Sequence, residues 1–220
     1  RTGVHTSGGF RSANEGATVG SNTYENRTIE AYIFDKHAWI DKMVADASED
    51  GADAAMFLEM SGIFEGGLQE LATQFYYGKS ANAKGFAGLQ AQVNSNMVVD
   101  VTGSTADSGT SIYAVKWGMK DCQFVVGQNG KFEPSDIEIR LITPDPINYP
   151  AKRLETYYQT LSGRIGLQVG SKYSIARAKN ITAQSGKTVT DEVLSALLAK
   201  FPAGVRPDVI YMNRTSVKQW

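Results

Sequence analysis

The sequence holds one cysteine, Cys122, so no disulfide can close within the chain, and one cysteine with two histidines cannot supply a usual zinc site. Both facts suit a reducing compartment. No apolar run approaches the roughly 18–20 residues that a membrane helix needs, and the N-terminus lacks the basic-then-apolar layout of a secretory leader. Neither charge is in excess. Twenty-two basic residues against 23 acidic ones exclude a protein that coats nucleic acid or an anionic membrane by bulk attraction. The expectation is a soluble chain with no membrane partner. The chain begins at Arg1 and stops at Trp220, within a few residues of a predicted helix start, which predicts processing or truncation. At 220 residues it could build one large domain or two small ones.

Catalytic signatures are missing as well. Ser185-Gly186-Lys187-Thr188 is the tail of a phosphate-binding loop, but Ile181 stands where the pattern requires glycine, and no apolar strand leads tightly into it. No nucleophile elbow and no dinucleotide-binding glycine pattern occurs. His5 falls in a glycine-rich arm and His37 beside an acidic turn, and both read as surface histidines. Glu59, Glu65 and Glu70 are spaced by six and five residues, which does not stack them as a metal pair on one helix face. Cys122, next to Asp121, reads as a small buried hydrophobe. The expectation is therefore no enzyme, no cofactor and no bound metal.

What the chain does have is one long apolar-patterned stretch. Met56, Phe57, Met60, Ile63, Phe64, Leu68, Leu71 and Phe75 recur mostly at steps of three and four, which predicts an amphipathic helix over 53–77, roughly 37 Å long. Gly62, Gly66 and Gly67 each cost such a helix about 0.8–1 kcal/mol relative to alanine. That predicts a bend there, or the close approach of another backbone. Glu59, Glu65 and Glu70 would form a solvated or subunit-facing stripe.

The rest of the chain attaches to this strut. Residues 1–23 are glycine-, serine- and threonine-rich with nothing to bury. A strand is expected over 24–34, with a short one near 10–12 to pair with it, then a short helix over 38–47 burying Ile40, Met43 and Val44. Phe86 and Leu89 anchor a loop after the strut. Strands follow in SIYAVKWG, QFVVG, IEIRLIT and LETYYQTLSGRIGLQV, with a proline-punctuated loop at 144–150. A helix capped by Thr190 or Asp191, a strand DVIYMN and a helix capped by Asn213 then begin a second, α/β subdomain.

Charge is segregated along the chain. Asp35 to Glu70 holds nine acidic residues against two basic, whereas Lys116 to Lys187 holds eleven basic against six acidic. Blocks of opposite sign suit head-to-tail contacts between copies, and solvated faces account for them equally well.

The order of several blocks carries a resemblance. Phe10-Arg11 and Asn14-Glu15-Gly16 in the arm, Asp41-Lys42-Met43, the helix ending Phe75-Tyr76-Tyr77-Gly78, and Lys84-Gly85-Phe86-Ala87-Gly88-Leu89 are similar to major capsid proteins of tailed double-stranded DNA bacteriophages, podovirus-like ones above all. Ser111 to Gly118, Gly166 to Val169, Ala178 to Ile181 and Ile210 to Thr215 continue the likeness to Trp220. The resemblance implies an α+β chain with the Hong Kong 97-type shell fold. Residues 1–37 would be the N-arm and extended E-loop. Residues 38–180 would be the P-domain, with spine helix 53–77 and an antiparallel sheet, and 181–220 the start of an A-domain. It also implies a structural subunit of an icosahedral virion that forms hexamers and pentamers around packaged double-stranded DNA without reading its sequence, assembled in the bacterial host cytoplasm. Decoration, scaffolding and portal proteins would be further partners. Some members cross-link an E-loop lysine to a neighbour, but the first lysine here, Lys36, lies outside the glycine-rich stretch of the arm, so a non-covalent shell is expected. Candidate assembly-interface residues are Phe10, Arg11, Glu15, Arg27, Glu59, Glu65, Glu70, Lys152 and Arg153. An encapsulin-type compartment and a small cytosolic enzyme or binding protein remain open as alternatives.

Overall fold

The computed structural model describes residues 9–16, 18–26, 28–104, 109–127, 133–145, 147–148 and 150–220. Its elements in chain order are β1 (Tyr32–Asp41), α1 (Lys42–Asp46), α2 (Ala52–Tyr77), α3 (Leu89–Gln92), β2 (Val98–Asp100), β3 (Thr110–Val115), β4 (Cys122–Val126), β5 (Glu133–Pro134), β6 (Glu138–Ile142), β7 (Leu154–Val169), β8 (Ile175–Ile181), α4 (Asp191–Ala199), β9 (Val209–Tyr211) and α5 (Arg214–Gln219). They divide between two units that interleave along the chain. The first unit takes 1–29, 89–124 and 167–220, and the second takes 30–88 and 125–166.

The second unit holds the strut. Gly51, at φ 85°, turns the chain into α2, and Asp53 in the first turn complements the helix dipole. Met56, Met60, Gly67, Gln74 and Phe75 are buried, a row of inward positions at helical spacing. Met56 and Met60 pack with Ala38 of β1 and Leu161 of β7, and Ile40, Ile63 and Tyr157 close the edges of this core. The expected apolar face is only half covered. Phe57, Phe64 and Leu68 are 77%, 41% and 47% exposed. The sheet lies on one side of the helix, so an apolar stripe wider than that contact is left in water. Of the three glycines, Gly67 packs beside the Phe34 ring, whereas among the described residues nothing stands within 4 Å of a Cβ built on Gly62 or Gly66.

β1 overturns two expectations of local structure. The strand runs Tyr32–Asp41 rather than 24–34, antiparallel to β7 from Tyr32 opposite Ile165 to Asp41 opposite Thr156. Residues 38–41 extend that ladder instead of starting a helix, and α1 keeps five residues, capped by the Asp41 carboxylate accepting the Met43 N–H at 2.9 Å. Long-range pairing wins over the local helical pattern here. Ala45 is then the buried residue of α1, and Met43 and Val44 face solvent. Around 10–12 there is no strand, only a turn in which Asn14 sits at φ 65°.

β7 is the axis of a five-stranded sheet. β1 lies along one side, and β6, β5 and β4 follow one another along the other. Its 16 residues include the expected run from Gln159 to Val169. After α2, Gly78 at φ 58° reverses the chain, and its backbone meets Gly88 so closely that neither could carry a Cβ.

The first unit is built on the sheet order β2-β8-β3-β9, with β2 parallel to β8 and the other pairs antiparallel. Its core gathers Met97, Ile112, Ala114, Ala176, Ala178, Ile181, Val189, Leu197 and Phe201. The predicted caps are in place: Thr190 Oγ1 accepts the Val193 N–H at 3.3 Å, and the Asn213 amide oxygen accepts the Ser216 N–H at 2.7 Å. Phe86 and Leu89, the expected loop anchors, are both buried.

Candidate subunit interface

The side chains that could carry chemistry lie apart from one another among the described residues. Among the described residues no cluster of three or more His, Cys, Asp or Glu could hold a metal ion. Cys122 is fully buried, and burial, reinforced by the Asp121 carboxylate beside it, pushes its thiol up to about 12. Lys187 of the truncated phosphate-loop motif donates to the Thr102 hydroxyl, which gives that motif a structural role in the first unit. His5 lies outside the described residues. His37 is exposed and joins its neighbours across the sheet, with Nδ1 2.6 Å from the Tyr158 hydroxyl and Nε2 3.3 Å from an Asp35 oxygen.

The candidate interface residues fall on separate surfaces. In the arm, the Arg11 guanidinium donates to the Glu15 carbonyl at 2.6 Å, and the Glu15 carboxylate accepts the Ser12 N–H at 2.9 Å. Those two residues therefore close a local turn that leaves the Phe10 ring wholly exposed. Arg27 lies outside the described residues. On α2, Glu59 and Glu65 are exposed and 120° apart around the helix by their spacing. Glu70 is tied to β1 instead, its Oε2 2.5 Å from Lys36 Nζ. Lys152 and Arg153 are exposed immediately before β7.

Sequence reasoning missed the apolar side chains left in solvent around them. Met43 and Val44 on α1, Phe57 and Leu58 on α2, and Ile147 in the proline-punctuated loop are each at least 64% exposed. A lone exposed apolar residue needs no explanation, but several on one pair of helices do. The only trace in the sequence was that the apolar stripe of the helix is wider than one sheet can cover. A groove of about 430 Å³ lies in the same unit, with Tyr32, Phe34, Lys36, Glu70, Gln74 and Phe86 in its wall. Gln74 is buried there, donating to the Phe86 carbonyl at 2.7 Å.

The family model of major capsid protein GP7 matches residues 1–220. The chain belongs to that family. As a GP7-family major capsid protein it is a structural subunit of a bacteriophage virion shell built from copies of itself. The fold agrees. A chain of the cryo-EM structure of bacteriophage epsilon15 superposes with a TM-score of 0.69 at 20% identity, covering 98% of this chain and 68% of that one. The expected α+β, Hong Kong 97-type architecture of long helix and sheets is thus the observed one. The procapsid of bacteriophage JBD30 matches at 15% identity and a TM-score of 0.49, over 96% of this chain and 74% of that one. The SrpI encapsulin of Synechococcus elongatus PCC 7942 matches at 10% identity and 0.47, over 70% and 75%. No curated protein matches.

Proposed function

We propose that the GP7-family subunit closes an icosahedral shell of hexamers and pentamers around packaged double-stranded DNA, and that assembly takes place in the host cytoplasm and needs no catalysis by the chain. The observation that carries this reading is the apolar surface that the subunit leaves unused: Phe10 in the arm, and Met43, Val44, Phe57 and Leu58 on the helices. Burying such side chains gives about 25 cal/mol per Å² of apolar surface, so many weak repeated contacts suffice to hold a shell. In this reading residues 1–37 are the N-arm and E-loop, 38–180 the P-domain and 181–220 the start of the A-domain. Scaffolding, portal and decoration proteins are its further partners. The near neutrality of the chain, 22 basic against 23 acidic residues, fits a wall that tolerates DNA without reading it.

The shell is non-covalent in this proposal, because the Lys36 ammonium is already paired with Glu70 within the subunit. The test is expression of the protein followed by negative-stain microscopy, nucleic-acid quantitation of purified particles and SDS electrophoresis. Closed particles that protect DNA and dissolve to single subunits in SDS are expected. A stable monomer by light scattering overturns the shell, particles free of DNA overturn the packaging role, and a ladder of SDS-resistant oligomers overturns the non-covalent wall.

A further inference from the structure

β6 is an edge strand. Among the described residues it pairs with β7 along one side and with no strand along the other. Glu138, Ile139, Arg140 and Leu141 are all exposed. An edge turns alternate N–H and C=O groups away from its one partner, and folded proteins often blunt it with a proline, a bulge or a lysine. β6 has none of these: its register with β7 runs without a shift, and the stretch 135–143, bounded by Pro134 and Pro144, holds no proline, glycine or lysine.

The side chains of β6 sort by face. Ile139 and Leu141 share a face with Tyr157, which stands directly opposite Ile139 and packs against the core of Met56 and Met60. They are 56% and 63% exposed, and Ile137, next in the alternation, is 37% exposed. Glu138 and Arg140 take the other face. They pair with each other at 2.7 Å, the guanidinium lies 4.5 Å from the Tyr158 ring centroid, and each keeps about half of its side chain in solvent.

The order Ile137-Glu138-Ile139-Arg140-Leu141 complements itself when reversed. Two antiparallel copies related by a two-fold at Ile139 set Ile139 opposite Ile139, Glu138 opposite Arg140 and Ile137 opposite Leu141, with Pro134 opposite Pro144 at both ends. Apolar side chains then meet on one face and opposite charges on the other. A two-fold at Glu138 or at Arg140 instead sets like charges against each other, and a shift by one residue sets charge against apolar side chains.

We propose that β6 pairs with β6 of a second copy, antiparallel about Ile139, so that two sheets run on into one across the contact. The Glu138–Arg140 pair of each copy becomes half of a four-charge cluster of alternating sign. An isologous contact closes on two copies, whereas a ring needs a head-to-tail one, so this contact joins hexamers and pentamers to one another. The inference rests on the shell reading and deepens it by naming one contact between copies.

The test exchanges charge between copies of the full chain. Arg140→Glu sets Glu138 against a second carboxylate across the two-fold, and Glu138→Arg sets Arg140 against a second guanidinium. Each variant alone lowers the sedimenting, particle-sized fraction by about tenfold. Co-expressing the two raises that fraction severalfold, because opposite charges meet again between copies while the pair within each copy stays broken. Melting temperatures report that each variant folds. Ile139→Cys, oxidised in assembled particles, gives a disulfide-linked dimer on non-reducing SDS electrophoresis, since directly opposed residues of an antiparallel pair keep their Cα atoms about 4.5–5.5 Å apart, within disulfide reach. Leu141→Cys, which faces Ile137, gives none, and the buried Cys122 does not compete. Wild-type particle yield from the two single variants overturns the proposal, as does a yield that co-expression fails to raise, or monomer alone from Ile139→Cys. A wild-type chain that forms no particles overturns the shell reading instead, and oxidation of the Ile139→Cys chain in solution still decides the pairing.

Discussion

The ring of Phe34 lies beside Gly67, so that a Cβ built on the glycine would stand 3.4 Å from Phe34 Cζ. This contact seats β1 against α2, and one turn further along Lys36 Nζ reaches Glu70 Oε2 from the same strand. A strand and a helix are thus registered by an aromatic ring over a bare backbone and by an ion pair at the rim. Lys36 and Glu70 are about one-third and two-fifths exposed, so the pair itself contributes at most about 1 kcal/mol.

The three glycines of α2 separate by what surrounds them. Gly62→Ala and Gly66→Ala enter open space and raise the stability of the subunit by about 0.8–1 kcal/mol each, the helix-propensity difference. Gly67→Ala must fit its methyl beside Phe34 and gains less. Thermal unfolding of the unassembled subunit ranks the three. Particle size measured by microscopy gives a second readout: Gly66→Ala, which leaves the subunit folded, disturbs shell size or closure if the helix must bend there, and normal particles show that it need not.

Gly88 allows no such change. A Cβ on it would fall 2.5 Å from the Gly78 nitrogen and 2.6 Å from the Gln74 carbonyl oxygen, backbone atoms that cannot swing aside. Gly88→Ala therefore separates the end of α2 from the loop below it and destabilises the subunit by about 3 kcal/mol or more. Chemical denaturation, or loss of soluble protein on expression, reads this directly.

Asp100 sets a pH limit on the first unit. Its carboxylate accepts the Asn180 amide and the Thr102 N–H, each at 2.8 Å, and pairs with Lys179 at 3.1 Å, so the carboxyl is held down from 3.8 to about 2. Asn180 and Thr102 both sit at φ 60°, a conformation these contacts help to hold. A depressed carboxyl stabilises the fold fully above its ordinary value and loses that contribution as the pH falls through the depressed one. Wild type accordingly melts above Asp100→Asn from neutral pH down to about 4, and the two curves converge towards pH 2. A gap that persists at pH 2 argues against the assignment.

The Cys122 thiol is inert while the fold holds. Fully buried, with its pKa pushed to about 12, it presents no thiolate at pH 8, so a maleimide labels it only when the subunit unfolds. Rapid labelling of native protein contradicts its placement in β4.

How much of this could be read from the sequence depends on the range of the interaction responsible. The extent of α2, the caps at Thr190 and Asn213 and the burial of Phe86, Leu89 and Cys122 follow from spacing and side-chain chemistry within a few residues, and each was legible. β1 was not, because the partner that makes 38–41 a strand is β7, more than a hundred residues away. Nor was the exposure of Phe57 and Leu68, since periodicity marks an apolar side without saying how much of it a sheet covers. The interface candidates divide along the same line. Arg11 and Glu15 satisfy each other's neighbourhood, and Glu70 serves β1, whereas Glu59, Glu65 and Arg153 are exposed.

The place of β7 along the chain has a consequence for biosynthesis. α2 ends at Tyr77 and β7 begins at Leu154, so a translating ribosome adds about 75 further residues before the strand that buries Met56 and Met60 can exist. At about 5–20 residues per second, the helix waits on the order of 4–15 s with its methionines uncovered. The nascent chain therefore depends in that interval on whatever shields apolar surface in the cell, and aggregation competes with folding there before it competes with assembly.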